Sequence, residues 1–160
     1  MLIGIMSDSH DNMVAIKKAV DFFNQKNVAL VLHAGDYVAP FTAQEFSKLK
    51  MKLVGVFGNN DGDKSHLLEK FKNIGELYQG PYEIELDGKK IVLMHQPKFI
   101  DQLLKDKKFD IVIYGHNHKI DVRKDTALVI NSGECGGWIT GRSTVSILDT
   151  KTLTPEIIDL

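Results

Sequence analysis

Five short polar stretches in this chain carry side chains that bind metals: Asp8-x-His10, Gly35-Asp36, Gly58-Asn59-Asn60-Asp61, a lone His95, and Gly115-His116-x-His118. Residues i and i+2 of an extended segment project to the same side, so each x-spaced pair can aim two donors at one point. Carboxylate, imidazole and amide oxygen together make a mixed oxygen and nitrogen donor set. Such a set suits Mn, Fe, Ni, Co or Zn, and is unlike a calcium loop or a thiolate cluster. Each stretch also has an ordinary reading by itself. Asp8 and Asp36 serve equally well as helix caps, any one histidine as a half-buried ring bonded to backbone, and Asn-Asn-Asp-Gly as a turn. What outweighs these readings is their place along the chain.

Every one of the five follows an apolar run. "LIGIM" (2–6) precedes Asp8, "VALVLH" (28–33) precedes Gly35-Asp36, and "KLVGVF" (52–57) precedes Asn59. Between the first two runs a helix is expected from an N-cap at Asp11 or Asn12, with apolar Met13, Ile16, Val20 and Phe23 on one face. A weaker helix is expected over roughly Pro40 to Leu49, and another near Asp63 to Lys72 with Leu67, Leu68 and Phe71 inward. Strand, helix, strand, helix, strand implies a right-handed parallel sheet. "YEIELDGKKIVLMH" then reads as a hairpin turning at Asp87-Gly88. A helix with Phe99, Ile100, Leu103 and Leu104 leads to "DIVIYGHNH", and "TALVINSGE" and "STVSILD" supply late strands. The expected class is α/β, two packed sheets flanked by helices, with the polar stretches at strand ends. Ligand sites of parallel α/β sheets lie just beyond the carboxyl ends of the strands.

In this order and at these spacings the motifs DxH, GD, GNxD, a lone H and GHxH resemble those of the calcineurin-like metallophosphoesterases, in particular their small bacterial and archaeal phosphodiesterases. The resemblance spans nearly the whole chain. It implies a four-layer αββα sandwich of two mixed β-sheets flanked by helices, as a single domain over residues 1–160. It also implies two divalent metal ions, with Mn2+ the first expectation and Ni2+, Fe2+, Co2+ or Zn2+ the others. Carried over residue by residue, Asp8, His10, Asp36 and His118 hold one ion, and Asp36, Asn59, His95 and His116 hold the other, with Asp36 bridging. Asp36, Asn59 and His116 then stand as the catalytic residues as well. The implied reaction is hydrolysis of phosphate diesters by direct attack of hydroxide held at the dinuclear centre, with no protein nucleophile. The alternative is a non-catalytic scaffold of the same fold, since the retromer scaffold subunit of eukaryotes resembles this family too. All seven ligand positions are kept here, which favours the enzyme.

The chain departs from the family pattern at two positions. Many members place a histidine after the motif's asparagine, where this chain has Asn60. An amide is no general acid near neutral pH, so esters with good leaving groups such as aryl phosphates are the expected substrates, and Asp61 is left with a structural job. Gln96 stands where relatives often carry glycine, and reshapes the pocket beside His95. Asn60 and Gln96, with Asn131 of the "NSGECGG" loop, are the candidate substrate contacts. His33 is expected as a core residue, His66 as a solvated helix residue, and Cys135 as an inert packed thiol.

Composition narrows the rest. With 160 residues, 43% hydrophobic, 26% charged, the chain is the size of one ordinary soluble domain. A net charge of −1 gives no general attraction to nucleic acid or to anionic membranes, and no strong nucleic-acid binding is expected. One cysteine excludes an intramolecular disulfide. No apolar run has the length of a membrane span, and the start lacks the pattern of a signal peptide, so a cytoplasmic location is expected. The expected partner is a small-molecule or nucleotide-like phosphodiester, and the resemblance also suggests a homodimer.

Overall fold

The computed structural model describes residues 1–160. Its first sheet has the order β11-β10-β1-β2-β3-β4, formed by β1 (Leu2–Met6), β2 (Leu30–His33), β3 (Leu53–Val56), β4 (Gly75–Tyr78), β10 (Thr144–Asp149) and β11 (Thr154–Asp159). The first four strands run parallel, and β10 returns antiparallel beside β1. The second sheet has the order β5-β6-β7-β9-β8, from β5 (Tyr82–Leu86), β6 (Lys89–Leu93), β7 (Ile111–Ile113), β8 (Ile120–Lys124) and β9 (Leu128–Ser132). Here β6, β7 and β9 are parallel, while β5 and β8 are antiparallel edges.

Side-chain alternation along the strands sorts the core into three apolar layers. Ile91 and Leu93 of β6, Ile111 and Ile113 of β7, and Leu128 and Ile130 of β9 face Ile3, Ile5 and Leu32 of the first sheet. The residues between them, Val92, Val112 and Val129, point outward beneath α4 (Ile100–Asp106). On the outer face of the first sheet, α1 (Met13–Lys26), α2 (Ala43–Phe46) and α3 (Lys64–Phe71) bury Ile16, Val20, Phe23, Phe46, Leu67 and Phe71. Each such side chain contributes about 1.5–3 kcal/mol by leaving water. The result is helix, sheet, sheet, helix, the four-layer sandwich expected from the sequence.

Local chemistry sets several boundaries. Of the two expected caps it is Asn12 that opens α1, its Oδ1 accepting from the Ala15 N–H at 3.1 Å. Asp63 caps α3 in the same way through His66 N–H at 3.1 Å. At the Asp87-Gly88 turn both residues have positive φ (53° and 72°), the conformation that matches a two-residue hairpin. The expected helix over 40–49 is shorter: a 3-10 turn at Pro40–Thr42 leads into α2, which ends at Phe46. Asn24 of α1 takes the Lys48 carbonyl and the Lys50 N–H at 2.9 Å each, and so ties the chain down outside a helical path. Three strands, β4, β8 and β11, had no counterpart in the sequence reading. No helix is long and apolar enough to cross a membrane.

Candidate metal centre

The parallel strands of both sheets end at one edge of the sandwich, and the polar stretches follow them. Asp8 lies two residues past β1, Asp36 three past β2, Asn59 three past β3, His95 two past β6 and His116 three past β7. Backbone bonds lock these loops together. Asp8 N–H donates to Gly35 O (2.9 Å), His10 N–H to Asp36 O (3.1 Å) and Gly115 N–H to His95 O (3.0 Å). His116 N–H donates to the Asp8 carboxylate at 3.0 Å, which joins the two sheets directly at the centre. Five of the seven expected ligands hold a left-handed backbone: Asp8, His10, Asp36, His116 and His118, with φ from 40° to 74°. Non-glycine residues persist there only when the surroundings force them, and such strain gathers at functional sites.

Two groups of donors result. Asp8, His10 and His118 offer atoms lying within 4.8 Å of one another, as do Asp8, Asp36 and His95. Within them, His118 Nε2 is 3.5 Å from Asp8 Oδ1, and His95 Nε2 is 3.3 Å from Asp36 Oδ2. Asn59 Oδ1 lies 2.9 Å and His116 Nδ1 3.3 Å from His95 Nε2. All seven residues that the sequence marked as ligands therefore meet at one place.

Hydrogen bonding decides what this place accepts. His95 Nδ1 donates to the Ala34 carbonyl at 2.8 Å, which leaves the Nε2 lone pair facing the oxygens of Asp36 and Asn59. His118 Nδ1 donates to Glu134 at 2.8 Å, so its Nε2 lone pair likewise faces Asp8. His10 Nε2 is buried, 3.4 Å from Asp36 Oδ2, and has no hydrogen-bond partner. Lone pairs converging without protons between them call for a cation. Burial pushes the Asp8 carboxyl up from its ordinary range. Burial pushes Asp36 the same way, yet the neighbouring His95 ring and the hydrogen bonds from Asn60 outweigh it and hold that carboxyl down. Burial lowers His95, but the Asp36 carboxylate prevails and raises it, another sign that positive charge is favoured here. Divalent ions fit this donor set.

The remaining expected site residues are placed as follows. Asn60 turns inward, donating from its backbone N–H to Asp36 Oδ1 (2.8 Å) and from its amide to Asp36 Oδ2 (2.7 Å). Asp61 is buried and accepts from the N–H groups of Asp36, Gly58 and Val38, which is the structural job expected of it. Gln96 lines the cleft beside His95. Asn131 is fully buried, its amide held by Gly115 O and Asn117 Oδ1 and its oxygen by Gly133 N–H, so it braces the loop bearing His116 and His118. His33 is a core residue stacked on Tyr37 at 3.9 Å, and burial drives it down to about 3. Cys135 is buried, its thiol pushed up to about 12. Glu134 escaped the sequence reading. It is the one acid in the glycine-rich "NSGECGG" loop, a signal visible in the chain but not tied to any motif.

The comparisons with known proteins come to the same point as the geometry. Residues 1–153 match the family model of the calcineurin-like phosphoesterase superfamily domain. A phosphodiesterase of Methanocaldococcus jannaschii is 40% identical over 156 residues, 94% of each chain. The solved structure of an archaeal phosphodiesterase superposes with a TM-score of 0.95 at 38% identity, covering all of both chains. Vps29 of Entamoeba histolytica, as a single mutant, shares the fold with a TM-score of 0.71 at 18% identity, over 100% of this chain and 99% of that one. With its ligand motifs gathered at the shared edge of two sheets and its full length matched, the chain belongs to the calcineurin-like phosphoesterase superfamily.

Proposed function

We propose that this protein is a metal-dependent phosphodiesterase acting at the edge where the two sheets meet. Asp8, His10, Asp36 and His118 would hold one divalent ion and Asp36, Asn59, His95 and His116 the second, with Asp36 shared. The observation that carries this reading is the buried, unpartnered His10 Nε2 beside two buried carboxylates. Bound divalent ions supply positive charge to the phosphoryl oxygens and acidify water, to a pKa of roughly 7 in favourable cases.

The chain's own residues supply orientation. Ala34 O and Glu134 fix the tautomers of His95 and His118, so each presents Nε2 inward. Burial, together with the neighbouring His95, lowers His116 and keeps its imidazole neutral, the form that donates a lone pair. Asn60 cannot pass a proton to a leaving group, which makes aryl diesters the best substrates. Mn2+ is the first candidate ion because the donors are mostly oxygen and imidazole, although affinity alone does not select it. A single functional domain over residues 1–160, a cytoplasmic location and a homodimer complete the proposal. The scaffold reading draws only on fold likeness at 18% identity, which says nothing of activity.

The test is hydrolysis of bis(p-nitrophenyl) phosphate and of p-nitrophenyl phosphate after stripping the protein and refilling it with Mn2+, Ni2+, Zn2+ or Mg2+. Diester turnover should vanish on chelation, return with at least one metal and be lost in Asp36→Ala. A phosphorylated protein trapped during turnover, or metal loading without hydrolysis of either ester, would overturn the mechanism or the function respectively.

A further inference from the structure

A cleft of about 340 Å³ opens directly from the metal centre on the His95 side. Asn59 and His95 themselves line it, together with Lys64, Gln79, Gln96, Lys98 and Phe99. The volume lies within the range of sites for small molecules. No residue lining it is acidic, and two are lysines. Lys64 Nζ lies 5.4 Å from the centre of the Phe57 ring and 3.4 Å from Gln79 Oε1, so its ammonium leans along the wall and is not taken up by a carboxylate. Asp63, its neighbour in sequence, is spent on capping α3. Lys98 makes no ion pair either. In a chain of net charge −1, two unpaired cations facing one concave wall form a local anion-attracting region.

Phe99 adds a second feature. It lines this cleft and is 74% exposed, on a left-handed backbone with φ of 67°. A bulky residue in that conformation is uncommon. An exposed aromatic side chain in a cleft that two lysines also line suits a flat ring that carries an anion nearby.

We propose that this cleft binds a second phosphate carried by the substrate, so that the substrate class is a diester whose one arm is a flat ring system bearing a phosphomonoester. This rests on the diesterase reading, because it gives the metal centre the scissile phosphate and the cleft the other. Lys64 and Lys98 neutralise the second phosphate, the amides of Gln79 and Gln96 hydrogen-bond it, and Phe99 covers the ring. The role of Gln96 then follows: directly after His95, it adds an amide donor to the cleft that Lys64 and Lys98 also line.

Calorimetry on the manganese-loaded full chain, with thymidine 3′,5′-bisphosphate and thymidine 5′-monophosphate as probes, tests this directly. The bisphosphate should bind about tenfold more tightly, the scale of one charge-assisted contact, and the advantage should shrink as salt rises. In the double variant Lys64→Glu/Lys98→Glu, both positions being exposed, the advantage should fall below about twofold, with circular dichroism unchanged. Equal affinities in the native protein would overturn the proposal. So would a bisphosphate advantage that survives in the double variant, since it would then belong to the metal centre alone. Hydrolysis of bis(p-nitrophenyl) phosphate by the same preparation reports separately on the diesterase reading. A bisphosphate preference without that hydrolysis would keep the anion subsite and refute the diesterase.

Discussion

Glu134 reaches the proposed metal centre through His118. Its carboxylate receives His118 Nδ1–H at 2.8 Å and is itself fixed by the N–H groups of Ile139 and Thr140. Burial would raise this carboxyl, but the Thr140 and His118 contacts win and keep it low, hence charged. Outer partners of this kind typically cost 10–100-fold in metal affinity or activity when removed. Glu134→Gln should therefore weaken metal binding by about tenfold or more, read by titration against a competing chelator, while circular dichroism stays native. An unchanged metal affinity would make Glu134 merely a loop anchor. Asn60 gives the complementary prediction. Its amide is tied to Asp36 at 2.7 Å and cannot protonate a leaving group. Asn60→His should raise hydrolysis of alkyl diesters by about a hundredfold relative to aryl diesters, the low end of what general acid catalysis contributes. If alkyl and aryl rates of the native protein already match, with chemistry limiting, protonation is not what Asn60 withholds. The seven candidate metal donors were legible in the sequence because donor type and spacing are local properties. Glu134 was not, because what makes it matter is a contact with His118 across 16 positions.

Elements place these residues through close approaches that only glycine permits. A Cβ at Gly58 would lie 2.5 Å from Asp36 N and 2.7 Å from Asp36 Cγ, and at Gly115 it would lie 2.7 Å from Asp8 Oδ2. The glycines that precede Asn59 and His116 in their motifs are thus where the β3 and β7 loops press on the two carboxylates. Gly58→Ala must move backbone or displace Asp36, and such overpacking costs about 1–3 kcal/mol. A lowered thermal midpoint together with weakened metal binding is expected; a lowered midpoint with normal metal affinity would show that the loop yields elsewhere. The buried strands were readable from their apolar runs, whereas β8 and β11 were not. β8, "IDVRK", is an edge strand whose residues are almost all exposed, and β11, "TPEIID", is an edge strand that starts with Thr154-Pro155. An edge needs pairing partners more than it needs a hydrophobic pattern. β4, "GELY", is too short for any periodicity to register.

At the scale of the molecule, the centre is a clasp between two sheets whose facing surfaces are mostly apolar. Asp8, Asp36 and Asn59 come from the first sheet, and His95, His116 and His118 from the second. Direct polar links between them there include the bond from His116 N–H to Asp8, that from His95 Nδ1 to Ala34 O, and the contacts of His95 to Asp36 and Asn59. Two buried carboxylates facing several lone pairs repel one another without cations, so the metal-free edge is the weak part of an otherwise well-packed sandwich. Ions bound by donors from both sheets stabilise the folded chain alone, since the unfolded chain holds those donors apart. At a free metal concentration a hundred times Kd the gain is about 2.7 kcal/mol per site. For a chain of this size, each kcal/mol moves the thermal midpoint by about 2–4 °C, so one filled site should raise it by roughly 5–10 °C and chelation should reverse the shift. Asp36→Ala, lacking the shared carboxylate, should lose most of that dependence on metal. Were the native midpoint indifferent to metal while metal still bound, the unfolded chain would have to hold the ion as tightly, and the donors that β1–β3 and β6–β7 bring together would not be its site.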